Sequence, residues 1–229
     1  MLWAPRPDQR LTALLADEGL LQMALALDRH RLATIVGARG HQPALEVFDL
    51  GSRERRVVSG LEAANVSWSA DGQALLVSAG APDRSAQWIW RVPVDGGLPT
   101  PVLRGRDSWS WPAASPDKRR IAAVRRGASG QVLVVSELTT GQTVELATAP
   151  EIPDLRWSPD GSWLAWSGGE RPPEADAGGI WLVSSQGGPV RRLVADGQFP
   201  TWIGIDELLF VRTLANRGVW RVRISGESG

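Results

Sequence analysis

Five times along the chain the same short pattern returns, an apolar anchor followed in three copies by two small or polar residues and in four by an aspartate at the fourth place. The copies are Leu25–Ala26–Leu27–Asp28, Trp68–Ser69–Ala70–Asp71, Ala114–Ser115–Pro116–Asp117, Trp157–Ser158–Pro159–Asp160 and Trp202–Ile203–Gly204–Ile205. Their anchors are spaced 43 to 46 residues apart. Behind each anchor comes a short apolar run, such as Leu75 to Val77 or Ile121 to Val124, then a polar loop and a second run, such as Trp88 to Val92 or Ile180 to Val183. The first four units close with a third run, such as Arg55 to Val58 or Val190 to Val194. A period of roughly 40 to 45 residues with four short strands per unit is the signature of a β-propeller.

The expected fold is therefore all-β, a closed propeller of five four-stranded blades forming one domain over residues 1–229. Blades are expected over 17–60, 61–105, 106–149 and 150–195, with the rest of the last blade over 196–229. That last stretch holds only three strands. The fourth is expected from the N-terminus, 1–16, where Leu11 to Asp17 resembles Val190 to Asp196. A strand borrowed from the other end of the chain ties the ring shut and removes its open edges.

The anchor motif has a mechanical reading. In Ser158–Pro159–Asp160–Gly161 the proline pre-sets φ at the second turn position, glycine takes the last, and Ser and Asp side chains hydrogen-bond the turn backbone. These aspartates are thus expected to be structural turn residues.

Trp157–Ser158–Pro159–Asp160–Gly161, Ser115–Pro116–Asp117 and Trp68–Ser69–Ala70–Asp71–Gly72, with the return Ile180–Trp181–Leu182–Val183 and Gly187–Gly188, resemble TolB-type, WD-like propeller repeats. The resemblance covers essentially the whole chain. It implies a propeller scaffold. Related repeats also form the propellers attached to prolyl-oligopeptidase-type peptidases, but no Gly-x-Ser-x-Gly elbow occurs here.

Composition removes several chemistries. The chain has no cysteine, so it has no disulfide framework, thiolate metal site or cysteine nucleophile, and its two histidines disfavour zinc enzymes and histidine-based triads. Basic and acidic residues balance at 25 each, which argues against a nucleic-acid partner. Lys118 is the only lysine, and the arginines are scattered singly or in pairs rather than gathered into a basic groove. No run approaches the roughly 18 apolar residues of a membrane span. The start, Met1 to Pro7, has no signal-type apolar segment, so a complete chain would stay in the cytoplasm and a trimmed one would belong to the periplasm or cell envelope.

Function is expected on the face that collects the longer loops and the connections between blades. Trp109 and Trp111 sit in the connection Arg106 to Pro112, where alternation would place both on one side of an extended segment. With Arg106 and Asp107 they form the first candidate binding patch, because Trp and Arg are enriched at interaction sites. Arg39, His41, Arg84, Arg171 and Arg217 follow on loops of the same face. The loop Gly168 to Gly178 carries Glu170, Glu174 and Asp176, but its spacing matches no calcium loop. The innermost segments Leu25 to Leu27, Val66 to Trp68, Ala113–Ala114, Leu155 to Trp157 and Thr201–Trp202 hold no carboxylate, which disfavours glycoside hydrolysis.

The function expected is a non-catalytic, monomeric binding platform for another protein or a peptide, with no cofactor, metal or catalytic residue. The alternatives are a carbohydrate-binding or glycosidase-like propeller, or one domain of a larger cell-envelope protein or peptidase.

Overall fold

A computed structural model describes residues 19–37, 43–127, 130–168, 179–212 and 216–224. Among them the chain is entirely strand and turn, in five antiparallel sheets arranged as propeller blades. Blade 1 holds β1 (Leu20–Leu25), β2 (Arg31–Val36), β3 (Ala44–Asp49) and β4 (Arg55–Ser59). Blade 2 holds β5 (Ala63–Trp68), β6 (Ala74–Gly80), β7 (Gln87–Pro93) and β8 (Thr100–Leu103). Blade 3 holds β9 (Trp109–Ala114), β10 (Arg120–Gly127), β11 (Gly130–Glu137) and β12 (Thr143–Ala149). Blade 4 holds β13 (Arg156–Trp157), β14 (Trp163–Gly168), β15 (Gly179–Ser184) and β16 (Arg191–Val194). Blade 5 holds β17 (Gln198–Trp202), β18 (Glu207–Arg212) and β19 (Gly218–Arg223).

Each sheet is a simple meander whose first strand is innermost. β1 packs on β5, β5 on β9, β9 on β13 and β13 on β17, which places these strands around the axis. The second strands are sandwiched between neighbouring blades and therefore read as largely apolar runs, with small polar residues such as Thr34 and Ser78 buried among them. In β6, Ala74 to Ala79 are all buried. Outer strands such as β4, Arg55–Arg56–Val57–Val58–Ser59, face water along much of their length.

Among the described residues four hydrophobic cores lie between blades, one for each successive pair. Ile35 and Leu45 meet Leu75 and Val77 between blades 1 and 2. Leu76 and Ile89 meet Ile121 and Val134 between blades 2 and 3. Val124 and Leu133 meet Leu164 and Trp166 between blades 3 and 4, and Ile180 and Leu182 meet Leu208 and Phe210 between blades 4 and 5. No comparable packing joins blade 5 to blade 1 among the described residues. There Leu21, Met23, Leu25 and Leu27 are exposed. The strand expected to complete blade 5, around Leu11 to Asp17, lies outside the described residues.

The repeated anchors stitch these interfaces. Trp68 Nε1 donates to the Ala24 carbonyl at 2.8 Å, Trp157 Nε1 to Ala113 at 3.0 Å and Trp202 Nε1 to Arg156 at 3.3 Å. In each case the acceptor is the residue just before the anchor of the preceding blade. A buried indole thereby keeps its one donor satisfied while its ring fills the inter-blade core.

The turns behave as the residues dictate. Gly161 N donates to the Ser158 carbonyl at 2.9 Å, and Gly161 adopts φ +73°. Ser158 Oγ donates to Asp160 at 2.6 Å and accepts from Trp163 N at 2.9 Å. Ser69 repeats both bonds, to Asp71 and from Ala74 N. The left-handed place held by Gly72 and Gly161 is taken in blades 1 and 3 by Arg29, φ +60°, and Lys118, φ +64°.

Candidate functional site

The inner strands enter the propeller from the connections between blades, so their first residues, the β6–β7 loop, the ends of β2, β10, β14 and β18, and those connections share one face. At this entrance every inner strand long enough to show it carries a β-bulge. The ladder slips at Leu20/Gln22 in β1, at Ala63/Asn65 in β5, opposite Ala122/Val124 in β9, and at Gln198/Thr201 in β17. A bulge re-aims the side chains at its position and is favoured beside functional sites.

Three residues before each anchor stand Gln22, Asn65, Trp111, Asp154 and Phe199, a ring of equivalent positions at the entrance. Trp111, Asp154 and Phe199 have φ of +50°, +54° and +56°. A left-handed conformation costs a non-glycine residue about 1–2 kcal/mol, and such strain gathers where a fold holds functional groups in place. Gln22 and Asn65 are absorbed by the scaffold. The Gln22 Oε1 accepts from Val66 N at 2.9 Å and Asn65 Oδ1 from Trp111 N at 3.1 Å, each across to the next blade.

Asp154 makes no such bond. Its carboxylate has Ser167 Oγ at 3.5 Å and Arg156 Nη2 at 4.0 Å, with the side chain 19% exposed. Burial raises its pKa above the ordinary aspartate value, against the opposing pull of Arg156 and the Ser167 hydroxyl. It lines a cavity of about 300 Å³ together with Glu151, Ser167, Gly168, Gln198 and Phe199.

Local sequence explains the arrangement. Gln131 Oε1 accepts from Ile152 N at 2.7 Å, which pins the connection carrying Glu151 and Asp154 to blade 3. Gly168 lets β14 approach that connection, since a Cβ there would lie 2.8 Å from the Glu151 carbonyl. Phe199, 55% exposed, closes the blade 5 side.

The sequence-derived candidates distribute differently. Trp109 and Trp111 belong to the inner strand β9 rather than to the connection before it, because pairing with β10 begins at Trp109 opposite Arg125. They also do not share a face. Trp109, 7% exposed, packs in the core between blades 2 and 3, whereas Trp111 packs against the core between blades 3 and 4. The bulge at Trp111–Pro112 inserts the extra residue that breaks alternation. Arg106 and Asp107 are exposed in the connection before β9, with Asp107 Oδ2 3.9 Å from Arg125. Arg84 is exposed on the β6–β7 loop, 4.0 Å from Glu62, and Arg217 is exposed before β19. Arg39, His41 and Arg171 lie outside the described residues. In sequence Asp154 stands just outside the innermost segment Leu155 to Trp157, so it resembles a loop carboxylate. The recurrence of polar residues three places before the anchor, Gln22 and Asn65, was the signal for it.

Among the described residues no three His, Asp or Glu side chains are grouped to hold a metal ion, and no helix is long and apolar enough to cross a membrane.

No family model matches the chain, and no curated protein matches it. Solved structures do. TolB from Acinetobacter baumannii superposes with a TM-score of 0.71 at 16% identity, covering 92% of this chain and 53% of that one. A putative TolB from Agrobacterium tumefaciens gives 0.69 at 18% identity, covering 90% and 77%. An oligogalacturonate lyase in complex with manganese gives 0.67 at 15% identity, covering 92% and 66%. The chain spans about half the length of the first of these. At such identities the likeness is one of fold. The chain has a five-bladed β-propeller fold similar to that of TolB, and its structural neighbours include proteins named as enzymes and proteins not so named.

Proposed function

We propose that this propeller is a binding platform that takes a peptide segment of another protein at the axial entrance, in the cavity between blades 4 and 5. One observation carries the reading. The Asp154 carboxyl, held at a strained backbone position, is turned to a cavity instead of being tied into the next blade as Gln22 and Asn65 are. Concave sites with a few convergent polar groups and one perturbed ionisable residue are the usual form of a ligand site. Asp154 and Gln198 offer hydrogen-bond partners for peptide amides or a cationic side chain, and Phe199 offers an exposed apolar wall. Arg84, Arg106, Asp107 and Arg217 stand on the same face as a charged surround, with Trp111 at the equivalent entrance position of blade 3.

The test pairs the wild-type chain with the double variant Asp154→Asn/Phe199→Ala as affinity baits, followed by titration of the captured protein against both. The expected result is a partner bound by the wild type and lost by a variant that melts no lower than the wild type. Identical capture by two folded baits would overturn the reading.

A carbohydrate is the second reading, favoured by the occurrence of two carboxylates, Glu151 and Asp154, and an exposed aromatic ring in one cavity. Glycan-array binding with no protein partner, abolished by the same double variant, distinguishes it.

A further inference from the structure

We propose that a second cavity, between blades 2 and 3 on the opposite face, is a binding site for an aromatic ring carrying a carboxylate. The site follows from a missing pair of side chains. Between blades 1 and 2 the guanidinium of Arg31 lies 4.8 Å over the ring of Trp68, and between blades 3 and 4 that of Arg120 lies 4.9 Å over Trp157. Each arginine stands three residues after its turn aspartate, Asp28 or Asp117. Between blades 2 and 3 the same two places hold Ala74, three residues after Asp71, and the anchor Ala114. Both large side chains are gone. The carbonyls of Ala24 and Ala113 each receive an anchor indole, whereas the corresponding one, of Ser67, receives none among the described residues.

What remains is a cavity of about 160 Å³ beside Ala114. Its floor is apolar, from Leu76, Val102, Ala114 and Ile121, and its rim lies at the turns, from Asp71 and Lys118 with Arg91 and Arg120. An apolar cavity of about 150 Å³ takes up benzene, so this volume suits a planar aromatic guest whose substituent reaches the rim. The fold itself fills equivalent places with indole.

The rim selects the substituent. Arg120 is committed to Asp117 at 3.0 Å, and Arg91 has Asp71 at 3.8 Å. Lys118 holds no carboxylate at ion-pair distance among the described residues. It is the only lysine in the chain, and it stands at the turn position that blade 1 fills with Arg29 and blades 2 and 4 fill with glycine. A cation at the rim of an apolar cavity is placed to meet a carboxylate. Free aryl acids and acidic, tryptophan-containing peptides share this chemistry.

Calorimetric titration of the full chain with indole-3-acetate, indole and acetate tests the proposal. Indole-3-acetate is expected to bind, acetate alone is not, and an acetyl-Asp-Trp-amide peptide binding more tightly than the free acid would point to a protein source. Ala114→Trp fills the cavity from within and is expected to abolish binding while melting no lower than the wild type. Should that variant fold poorly, Ala114→Leu narrows the cavity with less bulk and serves in its place. Lys118→Ala is expected to weaken indole-3-acetate by roughly three- to tenfold and leave indole unchanged. No binding at millimolar ligand, or equal binding by the filled variant, would overturn the assignment.

Discussion

Arg120 lies 4.9 Å over the ring of Trp157 while its Nη2 donates to Asp117 Oδ2 at 3.0 Å, so one side chain joins the turn of blade 3 to the anchor of blade 4. Truncating it removes the cation–π contact and the packing of its stem together. Arg120→Ala is expected to destabilise the fold by about 1–2 kcal/mol, measured by denaturant unfolding, and Arg120→Lys to recover only part because an ammonium lacks the planar fork. Equal stability of Arg120→Ala and wild type would show that the stacking adds nothing.

The indole nitrogen of the same anchor gives a separate measurement. Trp157→Phe keeps an aromatic ring but leaves the Ala113 carbonyl without its donor in a buried interface. A loss of about 1–3 kcal/mol is expected. Trp202→Phe, whose bond of 3.3 Å is more exposed, should lose less in the same assay.

Backbone strain at the turns makes opposite predictions for two blades. Gly161→Val is expected to cost on the order of 1 kcal/mol or more through φ +73° alone, since an added Cβ meets nothing closer than 3.6 Å. Arg29→Gly relieves the equivalent strain and is expected to cost little or even to stabilise by about 0.5 kcal/mol. Shifts in unfolding midpoint at unchanged denaturant dependence would read both.

Acid should act through the turns. The Asp28 carboxylate accepts from His30 N and Arg31, and the Asp71 carboxylate from Ser69 Oγ and Gln73 N, which holds both below the ordinary value. In Asp117 and Asp160 burial pulls upward, but hydrogen bonds from Ser115 and Ser158 and from the turn backbone outweigh it. A depressed folded-state pKa gives stability that is present above the unfolded value, near 3.8, and is lost as pH falls through the folded one. Melting temperature is therefore expected to drop progressively below about pH 4. Asp154 has the opposite sign. Its raised pKa means that ionisation costs stability as pH rises from 3.8 through the folded value, so Asp154→Asn is expected to gain on the wild type towards neutral pH. A variant that loses stability at neutral pH would instead show that the pair with Arg156 dominates.

The fold was legible because three of the four inter-blade cores make the same demand. A tryptophan whose N–H must reach the preceding blade can occupy only one place per unit, so Trp68, Trp157 and Trp202 mark the period. The entrance was harder to read. Trp109 and Trp111 alternate in sequence as they would on a regular strand, and only the bulge before Pro112 sends them into different cores. Proline after an aromatic residue in Trp111–Pro112 and again in Phe199–Pro200 is the trace that bulge leaves, since proline within a sheet is confined to edges, strand starts and bulges. Asp154 was missed for a related reason. Its position belongs to the repeat, but β13 is only two residues long, and a carboxylate just outside a strand resembles loop chemistry.

Each inter-blade core draws on two adjacent blades and no others. Free energy in such an array is a sum of nearest-neighbour couplings, so the effect of a substitution is expected to fade within one blade in either direction. The five units thereby act as one another's internal controls. The number of blades also becomes something that gene duplication or loss can alter while only two mating surfaces have to be refitted.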